Sequence, residues 1–474
     1  MKTIDMIIKT RHMYTLEGEG VGYKENQAVA VDRGKILAIG HRDVIKKEYT
    51  GEKTIDASDK VVMPGLIDGH MHTSLATLRG LAQDVGNWMM HGVGPFQTSA
   101  TDETRIAGAK LGMAEAILNG TTTIGEDGDC TDEICKIIER FGARGNVSAR
   151  IREAKNKVYQ PGELYEYDEN KGEKALQEAL TVHKKWHNKD NGRIRILFGP
   201  QGADFVSEKL LLEVKKQAKD KKTKIHMHLS QGSRETKQME MRYGSRTIPW
   251  LAKKDYFDEN FIGIHLTDAL DEEVKVVAER NASMVLCSGS IGIIDGIVPP
   301  AKRFQDYGGS VALGTDQAPG NNCHNIVNEM KLTALFNKIK YEDPEMLPCW
   351  QALRMATIEG AKAIGIDDVT GSLEVGKQAD MILVDLKHPS LAPLYVSPMR
   401  NFIPNLVYSA QGSEVDTVIV DGRVLVENRE PKTFNLEEIF EEAQAQADLA
   451  AEAAEDKFWE INGVNAVYMK EDKL

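Results

Sequence analysis

Short apolar runs of β type open the chain: Ile4 to Lys9, Gln27 to Asp32 and Lys35 to Ile39, with Asp32-Arg33-Gly34 as a turn between the last two. The same texture returns late, at Met381 to Asp385 and Val415 to Val420. There Asp421-Gly422 is a hairpin signal before Arg423 to Glu427. Between these β-rich ends the pattern changes. Apolar runs of strand length recur near 61–68, 120–125, 145–151, 193–199, 223–229, 260–265, 282–287 and 309–315. Helix-period segments lie between most of them, among them Thr104–Leu118, Glu173–Trp186, Ser207–Ala218, Asp271–Arg280 and Ile326–Asn337.

Eight strands alternating with helices predict an α/β fold, a parallel (β/α)₈ TIM barrel. The rival is a doubly wound open sheet, but no Gly-x-Gly-x-x-Gly turn follows a strand. The expected organisation is a small β-sandwich domain from both chain ends (1–60 plus 366–430), a barrel over 61–365, and a C-terminal helix and tail over 431–474. That helix runs through the Ala/Glu-rich stretch to Glu455, capped at Thr433 or Asn435.

Composition narrows the function. The 474 residues are 41% hydrophobic, enough for a large core, and carry 59 basic against 72 acidic residues, a net charge of -13. Such a surface repels nucleic acid and anionic lipid, so neither is an expected partner. The five cysteines include no Cys-x-x-Cys pair, which fits a reducing cytoplasm, and no apolar run reaches the length of a membrane span or signal peptide.

Histidine carries the chemistry. With only 12 in the chain, a His-x-His pair is expected by chance about 0.3 times. It occurs twice, as His70-Met71-His72 and His226-Met227-His228. Residues two apart on a strand share a face, and two imidazoles on one face make a two-point metal ligand. His70 and His72 close the first predicted barrel strand, and His226 and His228 the fifth. His265 ends the sixth and Asp316 the eighth. Strand C-termini of a barrel converge on one mouth, so these residues meet in one pocket. A third histidine and a carboxylate leave positions open for water. His226 reads as a core residue with a satisfied ring, and His324 as a surface-loop histidine.

The motif Met63-Pro-Gly-Leu-Ile-Asp-Gly-His-Met-His72 resembles the opening metal motif of the amidohydrolase superfamily. His226-Met-His-Leu-Ser-Gln231, Ile264-His-Leu-Thr-Asp268 and Leu313-Gly-Thr-Asp316 follow in that superfamily's order, and Gly371 to Asp385 resembles its return into the β-domain. The nearest branch is that of cytosine deaminase, S-adenosylhomocysteine deaminase and triazine chlorohydrolase. The resemblance implies one divalent metal, zinc first and iron second, held by His70, His72, His228 and Asp316. It implies catalytic roles for Asp316, as proton acceptor from water, and for His265, which orients the water or polarises the substrate. A homo-oligomer acting on a small molecule is expected because relatives commonly are so.

The sequence departs from that group at Gln231, where a proton-shuttling glutamate is usual, and at Gln201, where histidine is frequent. An amide exchanges no protons as general acid or base. Glu235, four residues on, is a candidate to fold back in its place. Substrate contacts are assigned to Trp88, Gln201, Gln231 and His265, with Met89 and Met90 as apolar lining. Glu126 and Asp127 have no role beyond turn chemistry. The first expectation is a deaminase releasing ammonia from a heterocyclic or amidine-like substrate. The alternatives are a hydrolase of ureas, carbamates, amides or halogenated heterocycles, and a catalytically silent binding barrel.

Overall fold

A computed structural model describes residues 1–97, 100–157, 159–160, 162–461 and 463–474. Two eight-stranded sheets organise them. The first is parallel and follows chain order: Leu66–Met71, Thr121–Gly128, Arg144–Ile151, Ile194–Pro200, Ile225–Leu229, Phe261–His265, Ser283–Leu286 and Val311–Leu313. Its last strand returns to its first: the Asp316 amide donates to the His70 carbonyl (2.9 Å) and the His72 amide to the Asp316 carbonyl (2.8 Å). The sheet is therefore a nearly closed barrel. Its strands are buried on both faces, which explains continuous apolar runs in place of alternation.

The helices between strands match the predicted periods. Asp102–Leu118 is capped by the Thr101 hydroxyl, which accepts from the Thr104 amide, and Glu208–Lys221 by Ser207 in the same way. Helix Leu436–Ile461 follows Asn435, whose side-chain oxygen accepts from the Glu437 amide, and packs against Asp102–Leu118.

The second sheet joins both chain ends in the order Glu430–Pro431, Arg423–Glu427, Val415–Val420, Met381–Asp385, Tyr49–Pro64, Lys2–Tyr14, Tyr23–Asp32, Lys35–His41. Met6, Val31, Met381 and Ile419, from strands across the sheet, share one buried cluster, so the sheet curls on itself. Asp421 and Gly422 both take positive φ (52° and 73°), as a two-residue hairpin turn requires.

One predicted strand is corrected. The run 61–68 is two strands. Val61 to Pro64 ends the long strand Tyr49–Pro64 and pairs with Met381–Asp385, whereas the barrel strand begins at Leu66. Gly65 is the pivot: a Cβ there would lie 2.1 Å from the Thr122 side chain. Apolar content is continuous across the pivot, so periodicity cannot see the change of sheet.

Candidate active site

The barrel's C-terminal mouth gathers His70, His72, His228, His265 and Asp316, all buried. Nε2 of His70 and of His72 lie 3.6 and 3.5 Å from Asp316 Oδ1, and His265 Nε2 lies 3.8 Å from Asp316 Oδ2. His265 and Asp316 both adopt left-handed backbone (φ 74° and 62°), a conformation costly for residues with a Cβ. Strain of this kind, at about 1–3 kcal/mol per residue, collects at functional sites.

Hydrogen bonds orient the three rings. His72 Nδ1 faces the Asp127 carbonyl, and His228 Nδ1 donates to the Gln201 carbonyl at 2.8 Å. His70 Nδ1 lies 3.3 Å from His226 Nε2. An imidazole whose Nδ1 donates keeps its lone pair at Nε2, the form in which it ligates a cation; Arg150 Nη2 also approaches His72 Nδ1, at 3.0 Å. His70 Nε2 and both nitrogens of His265 are buried with no hydrogen-bond partner among the described residues. Burial pushes His70 down to about 3 and His226 and His265 to about 4, and holds His228 well below the ordinary range. His70, His226, His228 and His265 are therefore neutral near pH 7. Burial alone would raise Asp316, but the imidazoles of His70, His265 and His72 keep it well below the usual carboxylate range. Two sets of ligand atoms lie within 4.8 Å of one another, His70 with His265 and Asp316, and His70 with His72, His228 and Asp127; imidazoles beside a carboxylate suit a divalent cation.

Asp127 also falls within cation-ligating reach of His70, His72 and His228. Its carboxylate, however, lies 4.0 and 3.9 Å from Nδ1 of His72 and of His228, the nitrogens turned to backbone carbonyls, and it pairs with Arg150 at 3.4 Å. It backs the rings of His72 and His228. Reading Glu126 and Asp127 as turn residues missed this. Glu126 is fully buried and accepts from the Thr73 amide (3.1 Å) and hydroxyl (2.6 Å), and burial raises it to about 8. The available signal was two acids at a barrel strand's C-terminal end.

Other predicted residues fall as follows. His226 is buried as expected, with its ring engaged by His70. His324 is no surface residue. It is fully buried, with Nδ1 3.0 Å from the Thr315 hydroxyl, which donates to Asp68 at 2.6 Å. Asp68 also accepts from the Thr315 amide, so this chain of contacts clamps the strand before His70 to the loop before Asp316. Glu235 does fold back, but onto backbone: it accepts from the Ser230 and Gln231 amides (3.0 and 2.8 Å) and caps helix Gly232–Tyr243. Fully buried and so occupied, it does not replace a pocket acid. Gln201 and Gln231 sit half-buried at the ends of the fourth and fifth strands. Trp88 lies half-buried in the short helix Trp88–His91, its indole N–H out of solvent, and no hydrogen bond among the described residues ties it to the histidines. Met89 and Met90 pack against the core. No helix among the described residues is long and apolar enough to cross a membrane.

The model of the amidohydrolase family matches residues 61–425. A 5'-deoxyadenosine deaminase from Methanosarcina mazei is 32% identical over 454 residues, covering 94% of this chain and 98% of the relative. A 5-methylthioadenosine/S-adenosylhomocysteine deaminase from Thermoanaerobacter pseudethanolicus is 32% identical over 425 residues, covering 89% and 94%. Among solved structures, a zinc-bound adenosine deaminase from Xanthomonas campestris superposes with a TM-score of 0.87 at 25% identity, covering 95% of this chain and 99% of that one. With a matching family model, full-length relatives and a barrel mouth built for a cation, the chain belongs to the amidohydrolase family and is a hydrolase of carbon–nitrogen bonds.

Proposed function

We propose that this enzyme is a mononuclear metal-dependent deaminase acting on an amino-substituted heterocycle, with purine nucleosides of the 5'-deoxyadenosine type as the first substrates to try. The carrying observation is the approach of His70 and His72 Nε2 to the Asp316 carboxylate, with the His228 ring 4.9 Å from that of His70. His70, His72, His228 and Asp316 would hold one divalent cation, zinc before iron, which when bound supplies Lewis acidity and lowers the pKa of water.

The chain's own groups handle the protons. Asp316, ionised and 3.8 Å from His265, accepts a proton from the attacking water at its carboxylate. His265, neutral and with neither ring nitrogen hydrogen-bonded among the described residues, receives or passes on that proton at Nε2 and hydrogen-bonds the substrate's reacting end. Gln231 contributes hydrogen bonding only.

Metal-loaded protein is assayed for ammonia across aminated purines, pyrimidines, triazines and guanidines. Ammonia from at least one class is the expected result. Its absence from the whole panel, with metal bound, sinks the deaminase reading. A second reading is favoured by Gln231 alone: with no titrating group there, leaving groups that need no protonation are better served, as in halogenated heterocycles. Ureas and carbamates belong to the same assay, read by release of halide or a larger amine.

A further inference from the structure

Gln201 and Gln231 are each held by an arginine. Arg152 Nη1 donates to Gln201 Oε1 at 3.3 Å, and Arg234 Nη2 donates to Gln231 Oε1 at 3.1 Å. A guanidinium has only donors, so the amide atom facing it must be oxygen. The arginines are themselves fixed. Both lie over the ring of Phe205, at 4.7 and 4.9 Å from its centroid, and Arg234 also bonds Asp204 and the Tyr165 hydroxyl. Each glutamine is therefore prevented from flipping, and its NH₂ is turned away from the arginine. Neither Nε2 has a hydrogen-bond partner among the described residues, and neither is sealed from solvent. Their backbones border the site: the Gln201 carbonyl accepts from His228 Nδ1, and Gln231 lies three residues beyond His228 on the same strand end.

We infer that Gln201 and Gln231 are a pair of locked hydrogen-bond donors that selects a ring presenting an acceptor, an unprotonated ring nitrogen beside the amino-bearing carbon. The inference rests on the deaminase reading and adds a consequence. In hydrolysis of N=C–NH₂, the water oxygen becomes the carbonyl oxygen, the bond to the amino nitrogen breaks, one water proton leaves on ammonia and the other ends on the ring nitrogen. An acceptor in the substrate has become an N–H donor in the product. A donor that cannot flip favours the first and repels the second, because two facing N–H groups leave both unsatisfied. A glutamate in that place accepts from the product's N–H, which a pinned glutamine does not.

Binding reads this separately from turnover. Three nucleosides that are not deaminated are titrated calorimetrically into metal-loaded protein: 6-methylpurine riboside, its 1-deaza analogue, and hypoxanthine riboside. They present a ring acceptor, a C–H and an N–H at one position. The expected result is at least about tenfold tighter binding of the acceptor ligand than of the other two, with Gln231→Glu reversing the order in favour of the N–H ligand. Equal or tighter wild-type binding of the N–H ligand overturns the inference, as does an unchanged order in Gln231→Glu. Ammonia release without this preference removes the donor pair alone, whereas the preference without ammonia from any substrate removes the deaminase reading alone.

Discussion

His226 lies directly behind His70, its Nε2 3.3 Å from His70 Nδ1, with both rings buried. That contact ties the two rings together, and Nε2 is the nitrogen of His70 that faces Asp316. Two members of different His-x-His motifs thus do one task, the second orienting the first. Substitution His226→Phe keeps the volume and removes the ring-nitrogen partner. Loss of an orienting partner of this kind typically weakens metal affinity about 10–100-fold. Metal retained against a chelator series reads it, and undiminished retention would remove His226 from any positioning role.

Asp316 is the one carboxylate within 4 Å of His70, His72 and His265 among the described residues. Asp316→Asn removes its charge and its capacity to take a proton while keeping its shape. Turnover of the best substrate is expected to fall by about 10²–10⁴, with the circular dichroism spectrum unchanged. Retention of half the activity would exclude Asp316 as the proton acceptor.

Arg144, at the start of the third barrel strand, makes a bidentate bond to Asp380 (2.7 and 3.0 Å) at the entry to the second sheet, and both are buried. Asp380 also accepts from the Asp421 amide. Arg144→Met leaves a carboxylate without its partner in the interior and is expected to cost about 3–5 kcal/mol. Adding Asp380→Asn removes the orphaned charge but keeps the acceptor for Asp421, so the double variant should recover a good part of that loss. Denaturant titration of the four-member cycle measures it, and strict additivity would show that the two groups do not interact.

His183, half-buried on helix Glu169–Trp186, is held down to about 4 by burial first and then by the charge of His187. Its folded pKa lies below the unfolded value of 6.5, so the unfolded chain takes up this proton first as pH falls. The stability involved is fully present above about pH 6.5 and is lost between there and pH 4. Because the ring is partly exposed, the effect is discounted to about 1 kcal/mol. His183→Gln should flatten the stability profile across that window, and identical slopes would mean that the ring titrates normally in the fold.

The sequence by itself was enough for the barrel, since alternation of buried strands with amphipathic helices is a local property of the chain. It was enough also for the convergence of His70, His72, His228, His265 and Asp316, because residues at the C-terminal ends of parallel strands meet wherever such a barrel closes. Tertiary structure decided what lies behind them. Asp127 became a partner of Arg150 and a neighbour of the His72 and His228 rings, Glu235 a helix cap, and His324 a buried link to Asp68 through Thr315. Each of these depends on which side chains are brought together from distant strands and how far water is excluded from them. The locked orientation of Gln201 and Gln231 has the same origin: an amide reads alike from either end until a guanidinium, positioned by Phe205 from another part of the chain, chooses one.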